Sequence, residues 1–182
     1  MTYIHVPDNL PGIRGLMAFR PDTAKHLNQL AEELLRSENS LTRGERELIA
    51  THVSYLNDCF YCQHAHQALA GYYLACDFEK LDEIKANPDQ ANLSGKIKAL
   101  LKIAGSVQKG GLQVTPDQIE KAKAKGATDR EIHDTVLIAA AFCMFNRYVD
   151  GQGTEAPQDR EFYKNRAEAR ANEGYANYNP EN

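Results

Sequence analysis

At 182 residues the chain is long enough to bury roughly 70% of its unfolded surface as a single domain, so no cofactor is needed merely to hold a core together. Its 21 Lys and Arg against 25 Asp and Glu leave a net charge of −4, with the positive residues scattered rather than gathered into a stripe, which argues against nucleic acid as a partner. No basic segment followed by an apolar run opens the chain. The longest apolar stretch, Val136 to Phe145, falls well short of the ~20 residues that span a bilayer, so a soluble cytoplasmic protein without a membrane partner is expected.

Apolar residues recur with a period near 3.6 almost throughout, and no alternating segment of useful length reads as a strand. The expected fold is all-α, as one domain over residues 1–182: an N-terminal arm (1–20), a helical core (about 21–153), and a C-terminal surface helix and tail (154–182). Tyr3 to Gly15, with Pro7, Pro11 and Gly12, reads as irregular, and the first helix is expected from Pro21 to about Ser37, burying Ala24, Leu27, Leu30, Ala31, Leu34 and Leu35. Thr42-Arg43-Gly44-Glu45 is a capping box that opens a helix to about Tyr55, with Leu48, Ile49, His52, Val53 and Leu56 on its buried side. Asn57-Asp58 breaks it, and Asp58 is placed to cap the next helix, which runs through His66, Leu69 and Tyr72. A short helix follows around Phe78 to Ile84, then a longer one from about Ser94 to Val107. Thr115-Pro116-Asp117-Gln118 opens another, closed by Gly126. Thr128 to Glu131 caps a deeply buried helix reaching Tyr148. Asp159 to Asn172 reads as a surface helix, and Gly174 to Asn182 as a polar, tyrosine-containing tail that is mobile unless it packs on a neighbour.

The chemistry concentrates on Glu47, Cys59, Cys62 and His66. On a helix Cys59, Cys62 and His66 fall at i, i+3 and i+7, on one face. The two cysteine Cα atoms are then roughly 5 Å apart, within disulfide reach. A helix N-terminus favours thiolates, and His66 stands about 6 Å beyond Cys62, close enough to serve it as a base. Glu47 and His66 lie at nearly matching levels on either side of the Asn57-Asp58 turn, where a carboxylate would orient the imidazole and raise its basicity. The competing reading makes Glu47 an exposed partner of Arg43 at i−4. His52 and His64 read as structural, Cys76 and Cys143 as buried hydrophobes. Zinc is the rival use of Cys59, Cys62, His64 and His66. It is disfavoured because no second ligand pair exists elsewhere and one helix cannot surround an ion. Thioredoxin-type chemistry is disfavoured because no strand precedes Cys59.

The pattern E-x11-C-x2-C-x3-H, met by Glu47, Cys59, Cys62 and His66, resembles the signature of the AhpD-like alkylhydroperoxidases in the carboxymuconolactone decarboxylase superfamily. The Phe145 to Gly151 segment is similar to a second recurrent stretch of its peroxidase-related branch, and the resemblance covers roughly Leu30 to Gly153. It implies a compact helical fold and a homo-oligomer, commonly a trimer or hexamer; no cofactor and no metal are expected. The implied activity is reduction of a hydroperoxide by a Cys59/Cys62 dithiol-disulfide cycle, with a Glu47/His66 proton relay and an external dithiol reductant. Decarboxylase members lack the cysteine pair, which points away from that activity. Cys62, one turn from His66, is expected to meet the peroxide and Cys59 to resolve it. Asn146 and Arg147 either line or brace the site, with Asp150 as an ion-pair partner for Arg147. The alternative in another class is a non-catalytic redox or zinc-binding sensor that uses the same C-x-x-C.

Overall fold

The computed structural model describes residues 2–176, and every regular element among them is helical. In chain order these are α1 (Ile13–Phe19), α2 (Pro21–Arg36), α3 (Arg43–Leu56), α4 (Phe60–Leu74), α5 (Phe78–Ala86), α6 (Gly95–Lys109), a 3-10 turn (Gly111–Gln113), α7 (Pro116–Ala124), α8 (Asp129–Gly151) and α9 (Glu161–Glu173). The expected all-α class holds. The local signals that start these helices are the ones legible in the chain: Thr42 with Glu45, Thr115 with Gln118, and Thr128 with Glu131 form reciprocal capping boxes, Asp77 and Ser94 cap α5 and α6, and Pro21 and Pro116 occupy first turns.

Helix α3 is the axis of the molecule, with α2, α4, α6 and α8 packed around it. Every residue from Arg46 to Ser54 is therefore buried, polar ones included, where an amphipathic reading buries only one side. Leu56, expected inside, lies at the helix end and is 37% exposed. Gly44 permits the close approach of α3 and α4: a Cβ there would sit 2.6 Å from the Leu74 side chain and 3.2 Å from Tyr73 Cβ. Buried Arg46 donates to the carbonyls of Leu34 (3.1 Å) and Ser37 (2.9 Å), satisfying the C-terminal end of α2.

One terminal expectation is corrected. The segment read as an irregular arm contains α1, because Leu16 and Met17 are buried and give a short helix something to pack on. Helix α9 lies at the surface with its outer face exposed, and Tyr163, Ala167 and Ala171 are buried along its contact with α4. Helix α8 is buried along Ile138, Phe142, Phe145 and Val149, whereas Leu137 and Met144 face outward at 39% and 43% exposure. A main core centres on α3, α6 and α8, and a smaller apolar cluster gathers Cys59, Tyr61, Cys62, Val149 and Tyr163 at the start of α4. No helix among the described residues is long and apolar enough to cross a membrane.

Candidate active site

The turn between α3 and α4 sets the position of the cysteines. Asp58 takes the left-handed conformation (φ 58°), which reverses the chain within two residues, and Cys59 N–H donates back to Ser54 O at 3.1 Å. Cys59, not Asp58, is consequently the N-cap of α4, with extended backbone, and Asp58 caps nothing there. The correction moves Cys59 just outside the helix and places Cys62 at its third position, still among the N–H groups that lack carbonyl partners. Buried Asn146 of α8 braces this turn, donating to Ser54 Oγ at 3.0 Å and accepting from Asn57 Nδ2 at 2.8 Å.

Both cysteines are free thiols, Cys59 fully buried and Cys62 4% exposed. A hydrogen bond to the Cys62 side chain, together with burial, pushes the Cys59 thiol far above the usual range. Cys59 is therefore held in its thiol form beside Cys62. The Asp150 carboxyl, raised by burial, interacts with Cys59 and is not the ion-pair partner expected for Arg147, which instead donates to Cys143 O at 2.8 Å.

Glu47 and His66 are brought together across the α3–α4 interface. Glu47 has no exposed surface, which sets aside its pairing with Arg43, and its Oε2 accepts from His66 Nδ1 at 2.7 Å. A carboxylate acceptor fixes the Nδ1–H tautomer and leaves Nε2 as the ring's lone-pair nitrogen. The His66 ring meets Phe142 edge-on at 4.5 Å between centroids. Glu47 Oε1 accepts from the Tyr175 hydroxyl at 2.8 Å, a contact that sequence spacing does not reveal. Residues 174–176 thus pack on their own chain; residues 177–182 and Met1 lie outside the described residues.

Cys62 and His66 face a cavity of about 120 Å³. Its walls are mostly apolar, from Ile13 and Met17 of α1, Leu69 of α4, Phe142 and Phe145 of α8, and Phe162, Tyr163 and Ala167 of α9, with the arginines Arg14, Arg166 and Arg170 among the polar contributors. Cys59 is not among the lining residues, so the two thiols differ in access. Buried Tyr163, raised by burial and by the neighbouring Cys62 and Cys59, donates to Pro157 O at 2.9 Å and lines the cavity together with Cys62. The Tyr163, Ala167 and Ala171 spacing of i, i+4 and i+8 in an otherwise charged helix was a readable signal that α9 packs inward.

The other singled-out residues stand apart. His64 Nδ1 pairs with Phe60 O at 2.8 Å, and burial lowers its basicity, as it does for buried His52. Cys76 and Cys143 are half-buried rather than enclosed, and Cys143 Sγ accepts from Asn57 Nδ2 at 3.6 Å. Among the described residues no three His, Cys, Asp or Glu side chains converge as metal ligands do.

Residues 21–71 match the model of the carboxymuconolactone decarboxylase family. No functionally curated protein matches the chain. Among solved structures, an uncharacterized peroxidase-related protein with an alkylhydroperoxidase AhpD core, from Ralstonia eutropha JMP134, superposes with a TM-score of 0.75 at 29% identity, covering 84% of this chain and 79% of that one. A peroxidase-related protein from Silicibacter sp. TM1040 superposes with a TM-score of 0.78 at 23% identity, over 90% of this chain and 94% of that one. A protein of unknown function from Agrobacterium tumefaciens, linked by name to the antioxidant defence protein AhpD, superposes with a TM-score of 0.71 at 19% identity, over 87% and 100%. The last two likenesses speak to the fold alone.

Proposed function

Because this chain is an AhpD-like member of the carboxymuconolactone decarboxylase superfamily, we propose that it is a thiol-dependent peroxidase that reduces organic hydroperoxides. The observation that carries the reading is the joint exposure of Cys62 and His66 to one apolar cavity, with His66 oriented by buried Glu47 at 2.7 Å. A peroxide's alkyl group suits the aromatic and aliphatic walls, and its O–O bond would lie against Cys62. His66 Nε2 takes the Cys62 proton while Glu47 stabilises the imidazolium. The thiolate attacks the terminal peroxide oxygen, the O–O bond breaks, and the alkoxide leaves as ROH with the proton returned by His66. Cys62 is now a sulfenic acid. Cys59, held as a thiol beside it, displaces water and forms the disulfide. An external dithiol supplies the two electrons that restore both thiols, becoming a disulfide itself.

Steady-state turnover of cumene hydroperoxide to its alcohol, with dihydrolipoamide or dithiothreitol as electron donor, tests this directly. Catalytic turnover abolished by Cys62→Ser is the expected result. A single stoichiometric oxidation to the disulfide with no turnover under either dithiol would overturn it in favour of a one-shot redox sensor.

A further inference from the structure

Helix α9 ends at Gly174, whose positive φ (78°) turns the chain back toward the body of the molecule. A Cβ at that position would lie 2.7 Å from Glu32 Oε2 and 2.8 Å from Arg36 Nε, so a side chain cannot be added without moving a paired carboxylate and guanidinium. Beyond it, Tyr175 N–H and Ala176 N–H both donate to Glu32 Oε2, at 2.6 and 3.3 Å, while Glu32 Oε1 accepts from Arg36 at 3.0 Å. Arg36 also donates to Tyr73 Oη at 2.7 Å and to Ala171 O at 2.5 Å, and Arg170 donates to Gly174 O at 2.8 Å. This clamp, drawn from α2, α4 and α9, fixes the segment on both sides of Tyr175.

The clamp delivers the Tyr175 ring to the cavity, where it stacks on His66 at 6.3 Å between centroids with planes 18° apart. Its hydroxyl donates to Glu47 Oε1 at 2.8 Å. Burial and the Glu47 carboxylate hold the phenol well above the usual tyrosine range, so it remains the donor. Glu47 is fully buried, and a buried carboxylate with one oxygen unpaired is strongly disfavoured as the anion. Donation to Oε1 satisfies that oxygen and holds Oε2 on His66.

We propose that Tyr175 is a positioning residue for the Glu47–His66 pair, and that the clamped Gly174–Ala176 segment is a working part of the site. The inference rests on reading Glu47 and His66 as the proton relay for Cys62. The Tyr175 hydroxyl acts through Glu47, to which it is hydrogen-bonded.

A double-mutant cycle isolates that coupling. The rate of Cys62 alkylation by iodoacetamide, followed by peptide mass mapping in a Cys59→Ser background, reports thiolate supply without any peroxide. Tyr175→Phe removes the hydroxyl alone. It is expected to slow Cys62 alkylation about tenfold when Glu47 is present, the scale of one hydrogen bond to a charged group. In a Glu47→Gln background the same change should alter the rate by less than about twofold, because the group through which Tyr175 acts is gone. Gly174→Ala, which keeps the phenol but displaces it, should show the same dependence on Glu47. An equal slowing by Tyr175→Phe in both backgrounds, or no slowing in either, would overturn the proposal. Thermal melting of each variant separates these outcomes from loss of fold. Should the unmodified protein fail to turn over hydroperoxide while the alkylation cycle shows the expected coupling, the peroxidase reading falls and the role of Tyr175 stands. Should it turn over hydroperoxide while the cycle is additive, the role of Tyr175 falls and the peroxidase reading stands.

Discussion

Glu47→Gln is the most direct test of the relay. The substitution preserves shape and leaves both neighbours something to bond, but it removes the negative charge. The Glu47 side chain is 1% exposed and its contact with His66 is 2.7 Å, so the interaction is shielded from water and salt. Hydrogen bonds to charged groups contribute about 1.5–3 kcal/mol, toward the upper end when both partners are charged and the lower end when one is, so the imidazolium formed during thiol deprotonation loses roughly 1–1.5 kcal/mol. At about 1.4 kcal/mol per decade, sulfenic acid formation on Cys62 should slow about tenfold. The assay is a single-turnover peroxide pulse in a Cys59→Ser background, quenched with dimedone and read by intact mass. Melting by circular dichroism should change by a few degrees at most, showing that the variant folds. A folded Glu47→Gln protein that forms sulfenic acid at the unaltered rate would refute the reasoning, because His66 would then need no charged partner.

Cys59→Ser is expected to accumulate dimedone-trappable sulfenic acid on Cys62 after one equivalent of peroxide, whereas labelling of Cys59 in Cys62→Ser, with Cys59→Ser inert, would reverse the roles. Peptide mapping of the oxidised protein should find a Cys59–Cys62 disulfide and leave Cys76 and Cys143 as thiols; a main disulfide containing either would contradict the assignment. Burial alone would raise the Glu131 carboxyl, but Lys96 at 2.7 Å, Thr128 N–H and Ser40 outweigh it and hold it below its ordinary value. A carboxyl lowered on folding stabilises the protein above its unfolded pKa near 4.5 and loses that contribution as pH falls through the folded value. The melting-temperature gap between the unmodified protein and Glu131→Gln should therefore be present at pH 7 and shrink below about pH 4.5; a gap independent of pH would refute it. The outward Leu137 and Met144 on α8 lead us to expect a homo-oligomer by light scattering at micromolar concentration, and a monomer throughout that range would count decisively against it.

Local chemistry was sufficient for the helices themselves. Capping boxes at Thr42, Thr115 and Thr128 act within four residues, and the 3.6-residue apolar period reports which segments can bury a face, so helix type and approximate bounds follow from the amino-acid sequence. The C-x-x-C at the start of α4, the one-turn spacing to His66 and the matching level of Glu47 were legible for the same reason, since helical rise converts sequence distance into position along a hairpin. Packing against several neighbours at once was not legible. Whether Glu47 pairs with Arg43 or with His66 depends on whether α3 is enclosed on every side, and only its placement among α2, α4, α6 and α8 decides that. Cys59 rather than Asp58 is the N-cap of α4 because closing a tight α3–α4 turn, braced by Asn146 from 89 residues beyond Asn57, required the left-handed conformation at Asp58. Tyr175 reaches Glu47 across a separation of 128 residues through a clamp built from three helices. Contacts of that range leave no periodic trace in a single sequence, because they are set by the relative placement of whole helices; the tertiary structure alone brings the C-terminal phenol onto the carboxylate that orients His66.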